Sequence, residues 1–284
     1  MNSAYSCFSS AYSSLCKRMA VAMEVPNIRW QGMDVSKSPA AKMYELPDVD
    51  FSTWLDTSIL SIYQDDIQPN LPWADDHFLE RVGGHPLNPG KEWANWPWAN
   101  SADKARDQFG RFNHTYAERL WPKFARLTEG GILDEDRVEP YYAHRGASGQ
   151  RYGDLEDLIE LLVEDPYTRQ AWIPLFFPED TGIGDGGRKP CTLGYQFIVR
   201  NGRMNIWYPL RSCDLIHHFR DDCYLAVRLL LWVLEGCKIR TRESRDHGRQ
   251  TFWENISPGK YSMHMTSLHC FENDHRKLRE ENRS

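Results

Sequence analysis

The dipeptide Pro190–Cys191 stands where a Gly-rich segment leads into a predicted strand, with Arg188 and Lys189 immediately before it. An unperturbed cysteine thiol has a pKa of about 8.5, and neighbouring cations favour its thiolate form. A thiolate is a soft nucleophile that can add to a conjugated ring. The alternative interpretation is that Cys191 is an inert cysteine that fills the core as a small apolar residue.

The sequence Arg211–Ser212–Cys213–Asp214 begins twenty residues after Cys191. A guanidinium group offers forked donors to a phosphate, and an adjacent hydroxyl adds one more donor. Arg169, which follows Asp165–Pro166, is a second candidate phosphate ligand. Taken singly, each arginine is better explained by a surface ion pair, so the phosphate hypothesis depends on the combination.

The elements that must position these residues are clearest in the second half of the chain. Asp154 is typical of a helix N-cap, Asp165–Pro166 of a helix end, and Asn201–Gly202 of a two-residue hairpin turn. The sequence predicts a helix over 154–164, strands over 170–177, 192–200, 203–210 and 261–271, and an apolar helix over 219–234 closed by Gly236. This mixed order predicts an α+β fold around a large sheet.

The remaining segments are less periodic. Residues 28–130 are aromatic and Pro-rich, which predicts short helices joined by ordered loops and one longer helix over 106–127. Residues 1–25 are expected to form a disordered N-terminal extension, unless Met19 or Met23 is the true start, and 26–284 to form a single catalytic domain. The charged residues 273–284 are expected to be a solvated helix or tail.

Composition restricts the class of protein. The 284 residues carry a net charge of -6 and are 41% hydrophobic and 13% aromatic, which excludes a disordered chain. The mild acidity argues against nucleic-acid binding but not against small anionic ligands. The most apolar stretch, 224–237, is short and carries Arg228 and Glu235, so no membrane span is predicted. Seven cysteines without a CxxC motif favour a reducing, cytoplasmic compartment over disulfides or a zinc ribbon.

The order of these features along the chain resembles that of the thymidylate synthase family. The order is Asp-Pro-x-x-Arg, Pro-Cys, a hairpin, Arg-Ser-x-Asp, an apolar helix and a His-bearing strand. The resemblance covers about 150–275. It implies that Cys191 is the nucleophile, that Arg211 and Ser212 bind the nucleotide phosphate, and that Asp214 contacts folate. It also implies a homodimer packed sheet to sheet, in which Arg169 reaches the partner's phosphate.

The same resemblance implies a large mixed sheet packed with helices and 5,10-methylenetetrahydrofolate as co-substrate. The chain departs from the family pattern at Gln170, where a second arginine is usual, and at Thr192, where a histidine is usual. The resemblance implies no metal. We expect a cytoplasmic enzyme, which would act in the host cytoplasm if the chain is phage-encoded.

Asp222 changes the expected substrate. Counting without a gap from Cys191 and Arg211 places Asp222 where the family has the asparagine that reads uracil. A protonated carboxyl group accepts a hydrogen bond from the amino group of cytosine and donates one to its ring nitrogen. Asp at this position resembles the phage-type deoxycytidylate hydroxymethylases. Asp221 competes for this role, and a charge favoured by the helix dipole is the alternative.

Three further residues are carried over from the resemblance. His264, in the pattern His264-Met-Thr-Ser-Leu-His269, matches a histidine that holds the sugar, although Thr266 replaces the family's tyrosine. Glu80 is the candidate catalytic glutamate that organises water for proton transfer. Trp121, in the segment that also contains Tyr116, is expected near folate. A metal site of His264, His269 and Cys270 is disfavoured, because residues 264 and 269 face opposite sides of a strand.

The sequence therefore predicts a hydroxymethyltransferase that acts on dCMP. The strongly polar C-terminus favours addition of water over delivery of hydride to the transferred carbon. The alternatives are reductive methylation of dCMP or dUMP, hydroxymethylation of CMP, and a nucleotide or RNA binder without turnover. A cysteine hydrolase that pairs Cys191 with His264 leaves the Arg-Ser-x-Asp motif unexplained.

Overall fold

The computed structural model describes residues 3–30, 33–97, 106–125, 153–181, 188–244 and 246–283. Ten strands are described: β1 Ser3–Ala4, β2 Met23–Pro26, β3 Arg29–Trp30, β4 Met33–Asp34, β5 Lys42–Trp54, β6 Trp172–Pro174, β7 Gly194–Arg200, β8 Arg203–Leu210, β9 Cys213–Asp214 and β10 Ser257–Phe271. The α-helices are α1 Phe8–Met19, α2 Leu60–Ile67, α3 Trp73–Val82, α4 Tyr116–Leu120, α5 Leu155–Glu164, α6 Phe219–Arg242, α7 His247–Glu254 and α8 Glu272–Glu281. The predicted α+β class is confirmed.

A mixed eight-stranded sheet forms the centre, with strand order β1-β5-β10-β8-β7-β6, while β2 pairs with β5 and β9 with β10. The long strand β10 runs antiparallel to β5 and parallel to β8 and β9. Strands β7 and β8 form the predicted hairpin, in which Asn201 and Gly202 have φ of 54° and 71°. These left-handed values suit a turn of asparagine and glycine.

Helices cover one face of the sheet. Tyr261, Met263 and Met265 alternate along β10 and are buried on this face, in one core with Phe219 and Leu230 of α6. Helix α6 is longer than predicted, because Gly236 does not end it. A Cβ atom at Gly236 would lie 2.6 Å from Cδ1 of Ile159 on α5, so this glycine allows the two helices to approach closely.

The expectation of a disordered N-terminal extension is wrong for the described residues. Strand β1 pairs in parallel with β5, and α1 buries a stripe of apolar side chains at helical spacing: Phe8, Ala11, Leu15 and Met19. The serines lie between these positions, and Asp66 of α2 accepts hydrogen bonds from the backbone N–H groups of Phe8 and Ser9. Packing of this stripe against the core therefore orders the segment.

Several predicted boundaries also change. Over 106–125 the chain forms only one turn of α-helix, α4, which ends before Pro122, while 126–127 lie outside the described residues. Strand β6 is shorter than predicted, and the charged C-terminus forms α8, with His275 and Leu278 buried. The Gly-rich segment 182–187 lies outside the described residues. Among the helices described, none combines the length and apolar character needed to cross a bilayer.

Candidate active site

The β7–β8 hairpin brings the two ends of the sequence motif together. Cys191 precedes β7 and Arg211 follows β8, and the N–H group of Arg211 donates a hydrogen bond to the carbonyl oxygen of Cys191 at 2.9 Å. Thr192 forms an isolated antiparallel bridge with Leu210. Twenty residues of sequence are thereby folded so that the cysteine and the arginine are direct neighbours.

Arg211 lies against the thiol of Cys191, with its Nη2 atom 3.8 Å from the Sγ atom. Its Nε and Nη2 atoms also donate to the carbonyl oxygens of Pro190 and Lys189, at 2.8 and 2.9 Å. Burial raises the pKa of the Cys191 thiol, whereas the charges of Arg211 and Arg188 oppose this rise. The site thus holds a poorly solvated thiol next to cations that stabilise its thiolate.

Tyr116 belongs to the segment that the sequence predicts near folate, and it lies against the cysteine. Its hydroxyl oxygen accepts hydrogen bonds from the backbone N–H groups of Cys191 at 3.0 Å and Thr192 at 3.3 Å. Helix α4 holds it there through a capping box between Thr115 and Glu118. The guanidinium carbon of Arg81 lies 4.6 Å from the centre of the Tyr116 ring, so α3 and α4 both meet the cysteine here.

Asp222 occupies the first turn of α6 and faces the sheet. The thiol of Cys213 donates to Oδ2 of Asp222 at 3.6 Å. Burial raises the pKa of Asp222 to about 7, and the positive charge of Arg81 and hydrogen bonds from Cys213 and Tyr208 only partly oppose this rise. Tyr208, which hydrogen-bonds Asp222, also lies 3.0 Å from the hydroxyl of Thr192, the residue after Cys191. The carboxyl group therefore belongs to the same cluster as the segment that carries the thiol.

Asp221, the competing residue, has different partners. Its Oδ1 accepts a hydrogen bond from the backbone N–H of Asn70 at 2.8 Å, and its Oδ2 accepts one from the Asn70 side chain at 2.7 Å. Asp221 is buried and ties the start of α6 to the loop before α3. Of the two neighbouring carboxylates, Asp222 is the one that lies among the site residues.

Asp214 is buried in β9 and its carboxylate is engaged by the turn that follows. Oδ1 accepts from the N–H groups of Ile216 and His217 at 3.0 Å, and Oδ2 lies 2.9 Å from Nδ1 of His217. Burial opposes ionisation, but the His217 contact and nearby histidines keep the pKa of Asp214 below its usual range. The Nε2 atom of His217 lies 3.6 Å from Asp274 of α8, so the turn is tied to the C-terminal helix.

The structure separates the two histidines of β10. Nδ1 of His269 lies 3.3 Å from the hydroxyl oxygen of Ser212, and His269 is opposite Asp214 in the β9–β10 register. Nδ1 of His264 lies instead 2.8 Å from Asp50 of β5. Since Met263 and Met265 point into the helical layer, His264 faces the other side of the sheet. His269 is thus the histidine beside the Arg-Ser motif.

His264, Asp48 and Asp50 each offer a ligand atom within 4.8 Å of the others, and Asp48 is exposed. This group is separate from the site around Cys191. His269 and Cys270, the other members of the metal site considered from the sequence, do not belong to it. Their neighbours are different, because Ser212 contacts His269 and Cys270 is buried in the core.

Glu80 and Trp121 do not join the cysteine directly. Glu80 accepts a hydrogen bond from the N–H of Glu92 at 3.0 Å and lies 3.7 Å from Nδ1 of His77, whose Nε2 accepts from Arg81 at 2.9 Å. Among the described residues, Glu80 is therefore linked to the site through His77 and Arg81. Trp121 is 4% exposed, and its indole donates to the carbonyl oxygen of Arg81, so it is a core residue that supports α3.

Arg169 lies in the loop between α5 and β6 and is exposed, as is Gln170. Among the described contacts of this chain, none joins its side chain to the Cys191 cluster. Sequence reasoning missed Arg81, although its place one turn after His77 on α3 was visible. It also missed Tyr208, whose hydroxyl lies 3.0 Å from that of Thr192 and whose ring stacks on Tyr195.

Comparisons with known proteins agree with this fold. No family model matches the sequence. The chain is 27% identical over 129 residues to a thymidylate synthase of Rhodopseudomonas palustris (strain BisA53), covering 44% of this chain and 41% of that protein. It is 25% identical over 148 residues to a thymidylate synthase of Francisella tularensis subsp. holarctica (strain LVS), covering 43% and 52%. The chain thus spans about half the length of the curated relatives that it matches.

A solved structure gives the broader match. The thermostable thymidylate synthase A from Bacillus subtilis superposes with a TM-score of 0.62 over 98% of this chain and 84% of that one, at 13% identity. At this identity the likeness concerns the fold. The chain therefore has the fold of thymidylate synthase, and its local sequence similarity is to proteins of the same name.

Proposed function

We propose that the chain is a pyrimidine-nucleotide transferase that acts at carbon 5 and converts dCMP and 5,10-methylenetetrahydrofolate to 5-hydroxymethyl-dCMP and tetrahydrofolate. The observation that carries this proposal is the Asp222 carboxyl group, which shares a cluster with the Cys191 thiol and has a pKa raised to about 7. When protonated, this group donates to the bare ring nitrogen of cytosine and accepts from its amino group. Uracil offers the opposite pattern at the same two positions.

The chemistry begins at Cys191. Its thiolate adds to carbon 6 of the ring, and the displaced electron pair makes carbon 5 nucleophilic. Carbon 5 then bonds to the one-carbon unit of the folate and loses its proton to a base. The bond between the one-carbon unit and the folate nitrogen breaks, which leaves an exocyclic methylene on carbon 5. Water adds to the resulting exocyclic methylene as the bond from carbon 6 to sulfur breaks. One water is consumed, and tetrahydrofolate leaves.

The phosphate of the nucleotide is assigned to Arg211 and Ser212, which follow β8 directly beside Cys191. Arg169 is proposed to reach the phosphate of the partner in a homodimer formed by the uncovered face of the sheet. Its exposed position supports this assignment. For the sugar we assign His269 in place of His264, because His269 is the histidine that contacts Ser212.

The folate side of the site is assigned to the turn after β9. The Asp214 carboxylate accepts hydrogen bonds from this turn. We therefore propose that Asp214 fixes the conformation of the turn around His217. Asp274 of α8 faces the same histidine, which leaves this end of the site polar. A polar wall that retains water supports hydroxymethylation over reductive methylation.

Release of tritium from carbon 5 of labelled dCMP tests the proposal. We expect release only when methylenetetrahydrofolate is present, and none from the Cys191→Ser variant. Labelled dUMP should release less. Release without folate, or release that survives the substitution, would contradict the mechanism, and no release from either nucleotide would favour a binder without turnover.

A further inference from the structure

The segment before Cys191 holds a cation that has no counterion in the described structure. The guanidinium carbon of Arg188 lies 5.3 Å from the ring centre of Trp93 and 5.4 Å from that of Phe112. These two rings pack against each other at 4.3 Å. The carbonyl oxygen of Arg188 accepts a hydrogen bond from the Asn113 side chain at 2.6 Å. Both the backbone and the side chain of Arg188 are therefore fixed.

Arg188 differs in this respect from Arg119 and Arg228, two other arginines that are buried or half-buried. Arg119 is 2% exposed, and Asp180 neutralises it through two hydrogen bonds. Arg228 is paired with Asp75. Within the ranges that the structure describes, no carboxylate lies within ion-pair distance of Arg188. Burying a guanidinium without an anion is costly, and the aromatic contact offsets only part of that cost.

The charge of Arg188 acts on the same residues as Arg211, the other arginine of the site. Arg188 acts electrostatically on Cys191, and Arg211 acts on Arg188. Two of the three donor nitrogens of Arg211 already donate to the carbonyl oxygens of Lys189 and Pro190. Only part of its guanidinium group is thus available to donate to a phosphate. Gln170 contributes no charge from the loop that carries Arg169.

We propose that Arg188, held by Trp93 and Phe112, is a second phosphate-binding arginine supplied by the same subunit as Cys191. This inference rests on the proposed function for the identity of the nucleotide. The ligand chemistry itself is that of a phosphate monoester dianion, which takes forked donors from two guanidinium groups.

The test is protection of Cys191 from alkylation by iodoacetamide, with inorganic phosphate, dCMP and deoxycytidine as the probes. In the wild-type chain we expect phosphate and dCMP to protect the thiol saturably. In Arg188→Gln the concentration of each needed for half protection should rise about tenfold or more, the effect of one lost charge-assisted hydrogen bond. Half protection by deoxycytidine, which has no phosphate, should not change. Arg188→Lys should fall between the two.

Arg203→Gln is the matched control, since Arg203 stacks on Trp54 at the opposite end of the hairpin. It should leave all three concentrations unchanged. If phosphate and dCMP protect Arg188→Gln and the wild type equally, or if neither protects the wild type, the inference is overturned. If protection depends on Arg188 but no product forms from dCMP and folate, the proposed function fails while the phosphate site stands.

Discussion

The hydroxyl oxygen of Tyr116 lies 3.0 Å from the backbone nitrogen of Cys191 and accepts its hydrogen bond. The tyrosine thus fixes the backbone of the proposed nucleophile without touching its sulfur. Arg81 stacks on the same ring, and Arg211 approaches the sulfur from the hairpin. Tyr116 therefore fixes the backbone of the cysteine, while the cation of Arg211 lies beside its sulfur.

Cys191→Ser should lower turnover by roughly a thousandfold or more, because a serine hydroxyl is far less acidic than a thiol and a poorer nucleophile. Nucleotide affinity should stay within about threefold of the wild type, since Arg211 and Ser212 are untouched. Steady-state kinetics together with equilibrium binding check this. Cys7→Ser, at the half-buried N-cap position of α1, is the control and should keep full activity. Retained activity of Cys191→Ser would exclude the nucleophile.

Asp222→Asn should move the preference from dCMP toward dUMP. Because the folded-state pKa of Asp222 is raised to about 7, the protonated donor form is present below that pH and is lost as pH rises through it. The ratio of kcat/KM for dCMP to that for dUMP should therefore fall across pH 6–8 in the wild type, roughly tenfold per unit above the pKa. The ratio cancels the common dependence on the thiolate.

In Asp222→Asn this pH dependence should disappear. Asp221→Asn serves as the control, because Asp221 binds Asn70, and it should lower stability without changing base preference. A change of preference in Asp221→Asn but not in Asp222→Asn would reverse the assignment of the two carboxylates.

His269→Gln should weaken binding of dCMP by about tenfold, the scale of one lost hydrogen bond beside Ser212. His264→Gln should leave the affinity unchanged, because His264 contacts Asp50 on the opposite face of the sheet. Calorimetric titration of both variants measures the difference. Equal losses, or a loss confined to His264→Gln, would restore the assignment that the sequence motif favoured.

Arg119→Met should lower the free energy of unfolding by about 3–5 kcal/mol, since it leaves the Asp180 carboxylate buried without its partner. Urea denaturation followed by tryptophan fluorescence measures this. The double variant Arg119→Met/Asp180→Leu should recover part of the loss. A loss in the single variant below about 1 kcal/mol would show that the pair is not desolvated in solution.

Local sequence signals predicted the half of the chain that carries the hairpin. Asp154 caps α5, and Asn201–Gly202 turns between β7 and β8, because each signal acts within a few residues. The pairing of Cys191 with Arg211 follows from that hairpin. The prediction that Gly236 ends the helix was wrong. This glycine instead allows close contact with Ile159, which is distant in sequence.

The histidines show why the motif alone was not sufficient. His264 and His269 both belong to the same sequence motif, but only the pairing of β9 with β10 decides which histidine lies beside Ser212. The contacts of Glu80 and Trp121 could not be predicted for a similar reason, since the direction in which α3 points depends on packing against the end of α4. The roles expected for these two residues stay predictions. Arg81 carried no motif and became visible only through its contact with Tyr116.

Mass spectrometry of the product tests the central claim most directly. The chain would be incubated with methylenetetrahydrofolate and, separately, with dCMP, CMP and dUMP. We predict that dCMP alone gains the mass of one CH2O unit, as addition of water to the exocyclic methylene requires. A gain of one CH2 unit would mean that hydride is delivered and would contradict hydroxymethylation, and a product from dUMP alone would contradict the reading of cytosine by Asp222.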